Sequence, residues 1–242
     1  AESSGLVFGI SMTVASFALG GVISADYCRY AKSRGDVVKS SIVGVIPAGL
    51  FMLLTGAVMS IITGQYDISA ILANLGVPIL GLVALVLATW TTNVTNAYSG
   101  GLALSNLLGF DESKFKITTG IAGAIGTVLA AFGLLNAFQG FLSLMSGLIP
   151  PLAGVLIAHY WIICGGKREN FRLGGNLSAS GMIAFLAGAL VACITGGTFA
   201  SFPGLVAALP FLNTPFFVGP VNGIVVSLVL YVLLAKLLPE KP

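Results

Sequence analysis

Apolar positions gather into seven long runs, at residues 5–26, 37–62, 77–108, 117–135, 138–163, 178–199 and 216–238, and the stretches between them hold most of the charge. Crossing about 30 Å of hydrocarbon takes about 20 helical residues at about 1.5 Å each. Each run therefore predicts a membrane-spanning helix. The third run differs from the others: its middle reads Ala88-Thr-Trp-Thr-Thr-Asn-Val-Thr-Asn-Ala-Tyr-Ser99, the densest cluster of hydrogen-bonding side chains in otherwise lipid-soluble sequence. At about 100° per residue, Ala88, Thr92, Thr95, Asn96 and Ser99 share one face, with Thr91 and Tyr98 at its edge and Asn93 turned partly away. In hydrocarbon an unpartnered hydroxyl or amide is costly, so this stripe must meet other helices, an ion, a solute or water. Two readings follow, interhelical glue and a substrate or ion site.

Other runs carry their own interruptions. The first contains Ser16-Phe-Ala-Leu-Gly-Gly-Val-Ile-Ser24; a glycine pair inside a helix predicts a break that frees backbone groups to meet a solute. Phe17, one turn earlier, is either packing or an aromatic platform for a flat ligand. Asp26 and Arg29 stand at i, i+3, the spacing of a local ion pair. Pro47 and Gly49 interrupt the second run. The loop from Thr63 to Gly76 has room for a short amphipathic helix, with Asp67 as a solvated charge or N-cap, and Asp111 to Lys114 reads as a cap into the fourth run. Gly120, Gly123 and Gly126 give that run a smooth face for close helix contact. Pro150-Pro151 dictates a kink or break in the fifth. His159, beside Tyr160-Trp161, reads more simply as part of an interfacial belt than as a proton relay. The last two runs read as structural.

Composition turns the pattern into a class. Apolar residues make up 57% of the 242 and charged residues 8%, with a mean hydropathy of +1.03, against about 25% charged in soluble domains. The chain is an integral membrane protein. Its net charge of +3 then carries no reading of nucleic acid, and what matters is where the charges fall. All eleven basic residues lie on one side: Arg29, Lys32, Arg34 and Lys39 after the first run, Lys114 and Lys116 after the third, Lys167, Arg168 and Arg172 after the fifth, Lys236 and Lys241 in or after the seventh. The positive-inside rule makes that side cytoplasmic, which places the first residue outside, the last inside, and the protein in the inner (plasma) membrane. An outside start with no basic leader suggests that an odd number of spans precedes Ala1. Cys28, Cys164 and Cys193 follow no ligand or disulfide spacing, and a single histidine makes no metal cluster. No catalytic constellation is visible, and no cofactor or enzymatic activity is expected.

Ser16-Phe17 with Gly20-Gly21 and Ser24-Ala-Asp-Tyr-Cys-Arg-Tyr30, then Trp90-Thr-Thr-Asn93 with Tyr98, Gly101 and Leu102, then Ile149-Pro-Pro-Leu-Ala-Gly-Val-Leu-Ile-Ala-His-Tyr160, resemble in order the signatures of the cytosine permease group of the nucleobase:cation symporter-1 family. The resemblance implies an all-α membrane transporter of two inverted five-helix repeats, similar to leucine-transporter-like proteins, plus two peripheral helices. This chain would supply the second repeat (residues 1–164) and the two peripheral helices (165–242), completed by five further helices ahead of it. It implies sodium held by the Ala88 carbonyl and the Thr91 and Thr92 hydroxyls. It further implies a nucleobase stacked on Phe17, with Ser16 and the backbone at Gly20 bonding its edge and Asn93 or Asn96 supplying a paired donor and acceptor. The chain departs from that group's pattern in three places: Leu19 stands where a serine is usual, Val94-Thr-Asn96 where Asp-Asn-Ala is, and His159 where an aspartate is. The first two touch the implied substrate shell. A rival reading from another class is a channel-like or structural membrane subunit whose polar stripe is helix packing.

Overall fold

The computed structural model describes residues 5–65, 67–133, 138–171 and 178–237. Arg172, Lys241 and the loop at Leu135 to Ala137 lie outside them. The described chain is helical nearly throughout and divides into two compact units. One, the split unit, joins Ala1–Ser24 to Gly133–Pro242; the other, the central unit, is Ala25–Phe132. Among the described residues, five helical stretches are long and apolar enough to cross a membrane: Gly9–Cys28, Arg34–Thr63, Pro78–Leu108, Gly140–Ile163 and Gly219–Leu237. Two shorter apolar helices, Phe115–Ala131 and Ala179–Thr195, fall where the fourth and sixth runs were expected.

Helix α1 is Leu6–Cys28. It passes through Gly20 and Gly21 without interruption, so the expected break is absent. Two glycines cost a helix about 1 kcal/mol each relative to alanine; leaving amides and carbonyls unpaired in an apolar span costs more. Ser24 Oγ adds a bond to the Gly21 carbonyl at 2.7 Å.

In the central unit, α2 (Arg34–Ser40) opens on Ser33, whose Oγ accepts from the Asp36 amide at 3.2 Å and donates to the Asp36 carboxylate at 2.9 Å. A π-turn, Ser41–Val45, joins it to α3, Ile46–Thr63. The ladder widens just before Pro47, which has no amide to donate. Helix α4 (Ile68–Asn74) occupies the loop where a short helix was expected, and Asp67 caps it by accepting from the Ser69 amide at 2.9 Å. Helix α5 runs from Pro78 to Leu108 and ends on Gly109 at φ 64°, a left-handed turn that suits glycine. A 3-10 turn, Glu112–Lys114, leads into α6, Phe115–Ala131. The segment Asp111 to Lys114, expected as a cap, leads into α6 as a backbone turn in which the Asp111 carbonyl accepts from Lys114 N at 3.0 Å, and no side chain caps the helix.

Helices α5 and α6 pack through small residues, though not those expected. A methyl at Gly120, Gly123 or Gly126 would meet nothing within 4 Å, whereas one at Gly101 would stand 2.9 Å from Thr119 Cα and one at Gly100 3.1 Å from Ala122 Cβ. The glycines that matter are on α5, where they admit Thr119 and Ala122 of α6. Ser105 Oγ and Thr118 Oγ1 share a buried hydrogen bond of 2.7 Å.

The split unit holds α7 (Phe138–Ile157), a π-turn (Ala158–Ile163), α8 (Ala179–Thr195), the short α9 (Pro203–Ala208) and α10 (Gly219–Leu237). Helix α7 continues through Pro150 and Pro151, so the proline pair makes no break. Helices α7, α8 and α10 pack closely through glycine. A methyl at Gly188 would lie 2.7 Å from the Gly223 carbonyl, and one at Gly223 2.7 Å from Ala192 Cβ. Ser227, fully buried, donates to the Pro151 carbonyl at 2.8 Å.

Candidate functional site

The polar stripe on α5 divides into two halves with different uses. In the amino-terminal half the hydroxyls of Thr89, Thr91 and Thr95 turn back on their own helix. Thr89 Oγ1 donates to the Leu85 carbonyl at 2.7 Å, and Thr91 Oγ1 lies 3.2 Å from the Leu87 carbonyl and 3.1 Å from the Ala88 carbonyl. Thr95 Oγ1 donates to the Thr92 carbonyl at 2.8 Å. Ala88, Thr91, Thr92, Asn93 and Asn96 are all exposed. No side chain of this half bonds another helix among the described residues; it presents uncharged donors and acceptors outward.

The carboxyl-terminal half is glue. Tyr27 Oη lies 2.9 Å from Ser99 Oγ and 3.3 Å from the Thr95 carbonyl. Tyr30 Oη is 2.9 Å from Tyr98 Oη, and the Arg29 guanidinium donates to both phenols. Tyr98 also meets Phe115 edge-on, with centroids 5.4 Å apart. Arg29 therefore turns to tyrosines and not to Asp26, correcting the i, i+3 ion pair. Two phenols offer it a hydrogen bond each and an aromatic face at 4.9 Å and 5.8 Å. The Tyr30 hydrogen bond, ahead of the weaker Tyr98 contribution, holds the Arg29 pKa above its ordinary value. Sequence reasoning missed this clasp by weighing Arg29 against Asp26 alone and assigning Tyr27 and Tyr30 no partner. The signal was there in aromatic phenols at a helix end, where an apolar ring and a polar tip are both satisfied.

On α1, Ser16 Oγ donates to the Thr13 carbonyl at 2.8 Å, leaving its lone pairs available. Phe17 is 62% exposed. A methyl at Gly20 would touch the Phe17 ring edge at 4.0 Å, so glycine there leaves one side of the ring clear. Because α1 is unbroken, the Gly20 backbone stays in the helical ladder and is not released toward a ligand. Ser16, Phe17 and Gly20 belong to the split unit, and Ala88, Thr91, Thr92, Asn93 and Asn96 to the central unit. Between α1, α7 and α10 lies a cleft of about 410 Å³ whose lining includes Ala18, Gly21, Val22, Pro150, Ala153 and Ile224. Its lining residues are all apolar, so it lacks the hydrogen-bonding groups that a polar solute requires.

His159 is more than a belt residue. Its Nδ1 lies 2.7 Å from Tyr231 Oη on α10, its Nε2 3.7 Å from Cys164 Sγ, and its ring meets Phe171 edge-on at 5.3 Å. It sits in the π-turn Ala158–Ile163. His159→Phe keeps the ring and removes the bond to buried Tyr231, and is expected to cost about 1–3 kcal/mol. Thermal unfolding in detergent checks it; a variant as stable as wild type would show the bond to be dispensable.

Uncharged polar groups presented at the middle of a long apolar helix, among helices built to span a membrane, define a membrane protein with the makings of a polar-solute site. Residues 2–219 match the family model described as permease for cytosine/purines, uracil, thiamine, allantoin; the chain belongs to that family, one of transporters and not of enzymes. It is 30% identical to the cytosine permease of Escherichia coli (strain K12), over 96% of this chain and 50% of that protein. Identity is 26% to the purine-uracil permease NCS1 of Arabidopsis thaliana (85% and 37% covered) and 22% to the allantoin permease of Bacillus subtilis (strain 168) (88% and 46%). The chain spans half or less of the length of these curated relatives. No solved structure matches it.

Proposed function

We propose that this chain is part of a cation-coupled symporter that carries cytosine or a related neutral nucleobase across the plasma membrane by alternating access. The observation that carries the reading is the exposed polar stripe of Ala88, Thr91, Thr92 and Asn96, with Asn93 exposed beside it, in the middle of a 31-residue apolar helix. It offers hydrogen bonds without charge, which suits a planar, uncharged solute. The relatives' substrates, as their names state them, supply the solute class.

In this reading sodium is bound by the Ala88 carbonyl with the Thr91 and Thr92 hydroxyls. Thr91 Oγ1 and the Ala88 oxygen, 3.1 Å apart, already form part of the oxygen set that a hard cation prefers. The base stacks on exposed Phe17, beside the space left by Gly20, with Ser16 accepting from its edge and Asn93 or Asn96 presenting an amide. The 17-residue helices α6 and α8 reach about 26 Å, near the lower limit for a span, which supports a seven-span chain; with its basic loops cytoplasmic its first residue lies outside. Residues 1–164 then form the second repeat of a leucine-transporter-like fold and 165–242 the peripheral helices, completed by five helices that precede them. The Tyr27–Ser99 bond favours the rival reading, packing glue in a structural or channel-like subunit, for the carboxyl-terminal half of the stripe only.

Uptake by the full-length protein in proteoliposomes tests the reading. Saturable accumulation of radiolabelled cytosine driven by an inward sodium gradient is the expected result. Indifference to cytosine, uracil, purines, hydantoins and allantoin alike would make the nucleobase assignment wrong, and ohmic conductance would favour the channel. Thr92→Ala is expected to raise the half-saturating sodium concentration about tenfold, equivalent to about 1.4 kcal/mol; an unchanged sodium titration removes Thr92 from the ion site.

A further inference from the structure

We propose that Tyr27 is a positioning residue that ties the ion-binding segment of α5 to the last turn of α1, so that cation affinity depends on where that turn sits. The inference rests on the reading of Ala88, Thr91 and Thr92 as cation oxygens. Its basis is a run of hydrogen bonds inside the central unit. Tyr27 Oη meets Ser99 Oγ at 2.9 Å and the Thr95 carbonyl at 3.3 Å. Both contacts are satisfied together when the serine donates to the phenol and the phenol donates to the carbonyl. Thr95 continues the run: its hydroxyl donates to the Thr92 carbonyl at 2.8 Å, with the Thr91 carbonyl at 3.4 Å. The α1 phenol is thereby linked, through one turn of α5, to the two residues whose hydroxyls would face the cation. Ser99 is only 8% exposed, so water does not readily replace the phenol if it leaves. Tyr30 and Arg29 grip Tyr98 on the adjacent face, which holds the same turn from a second side. Tyr27 itself touches none of the expected ion oxygens, so its effect on the ion passes through Thr95.

The test is equilibrium binding of radiolabelled sodium to the purified full-length protein, comparing wild type with Tyr27→Phe, Ser99→Ala, the double variant and Ser99→Thr. Each of the first two is expected to weaken sodium binding about three- to tenfold, the range of one net hydrogen bond. The double variant is expected to be no weaker than the worse single one, because both remove the same link, and Ser99→Thr, which keeps the hydroxyl, is expected to bind like wild type. Purely structural damage would lower the unfolding temperature without this pattern. Independent, additive losses, or wild-type affinity in both single variants, overturn the proposal. Wild-type protein that binds no sodium overturns instead the ion reading beneath it. Should Tyr27→Phe fail to reach the membrane, Ser99→Ala, which alters no ring, decides between the same outcomes.

Discussion

Gly188→Leu is expected to unfold the packing of α7, α8 and α10, with a loss of about 3 kcal/mol or more. A single methyl at this position would already stand 2.7 Å from both the Gly223 carbonyl and Ser227 Cβ, and 3.2 Å from Pro151 Cβ. A leucine can be seated only by pushing α8 away from both neighbours, and overpacking of this kind costs about 1–3 kcal/mol by itself. Moving α10 also strains the buried bond from Ser227 to the Pro151 carbonyl, 2.8 Å long, which is costly to leave unmade. For a chain of this size about 3 kcal/mol corresponds to a fall of about 6–12 °C in the unfolding midpoint, measurable in detergent. Gly120→Leu is the control, since nothing lies within 4 Å of a methyl there, and its midpoint is expected to stay near wild type. Equal midpoints for the two variants would show that the glycine contacts do not hold these helices together.

Phe17→Ala is expected to weaken nucleobase binding by about 5- to 150-fold, the equivalent of about 1–3 kcal/mol for one base stacked on one aromatic ring. The ring is 62% exposed, so its removal disturbs little packing, and Phe17→Tyr or Phe17→Trp should keep most of the affinity by keeping a flat face. Substrate protection against thermal unfolding of the full-length protein would measure this. Equal protection in Phe17→Ala and wild type would remove Phe17 from the site.

Elements specified by local chemistry were legible in the sequence. The apolar runs, the Asp67 cap and the small helix it starts follow from neighbours a few residues apart, and so did the stripe on α5, whose face is fixed by helical period. What was not legible depended on partners distant in the chain. Gly100 and Gly101 read no differently from Gly120 and Gly123, yet only the first two meet another helix closely, because that choice is made by Thr119 and Ala122 on α6. Asp26 and Arg29 have the spacing of an ion pair, but two phenols, one of them 69 residues away, outcompete the carboxylate. The glycine and proline pairs mark places where a helix is weak. Whether it breaks depends on what would satisfy the freed backbone groups, and here α1 and α7 stay intact.

The inward-turned threonines of α5 also bear on how the protein is made. A helix that satisfies the hydroxyls of Thr89, Thr91 and Thr95 with its own carbonyls presents less unmet polarity to lipid than its sequence suggests, so α5 can enter the bilayer before any neighbour is there to receive it. Glycosylation mapping of α5 fused between soluble reporters is expected to find it spanning, and failure to insert would refute this. Biogenesis can then proceed helix by helix, with the clasp between Tyr27 and Ser99 made afterwards, as two already inserted segments meet.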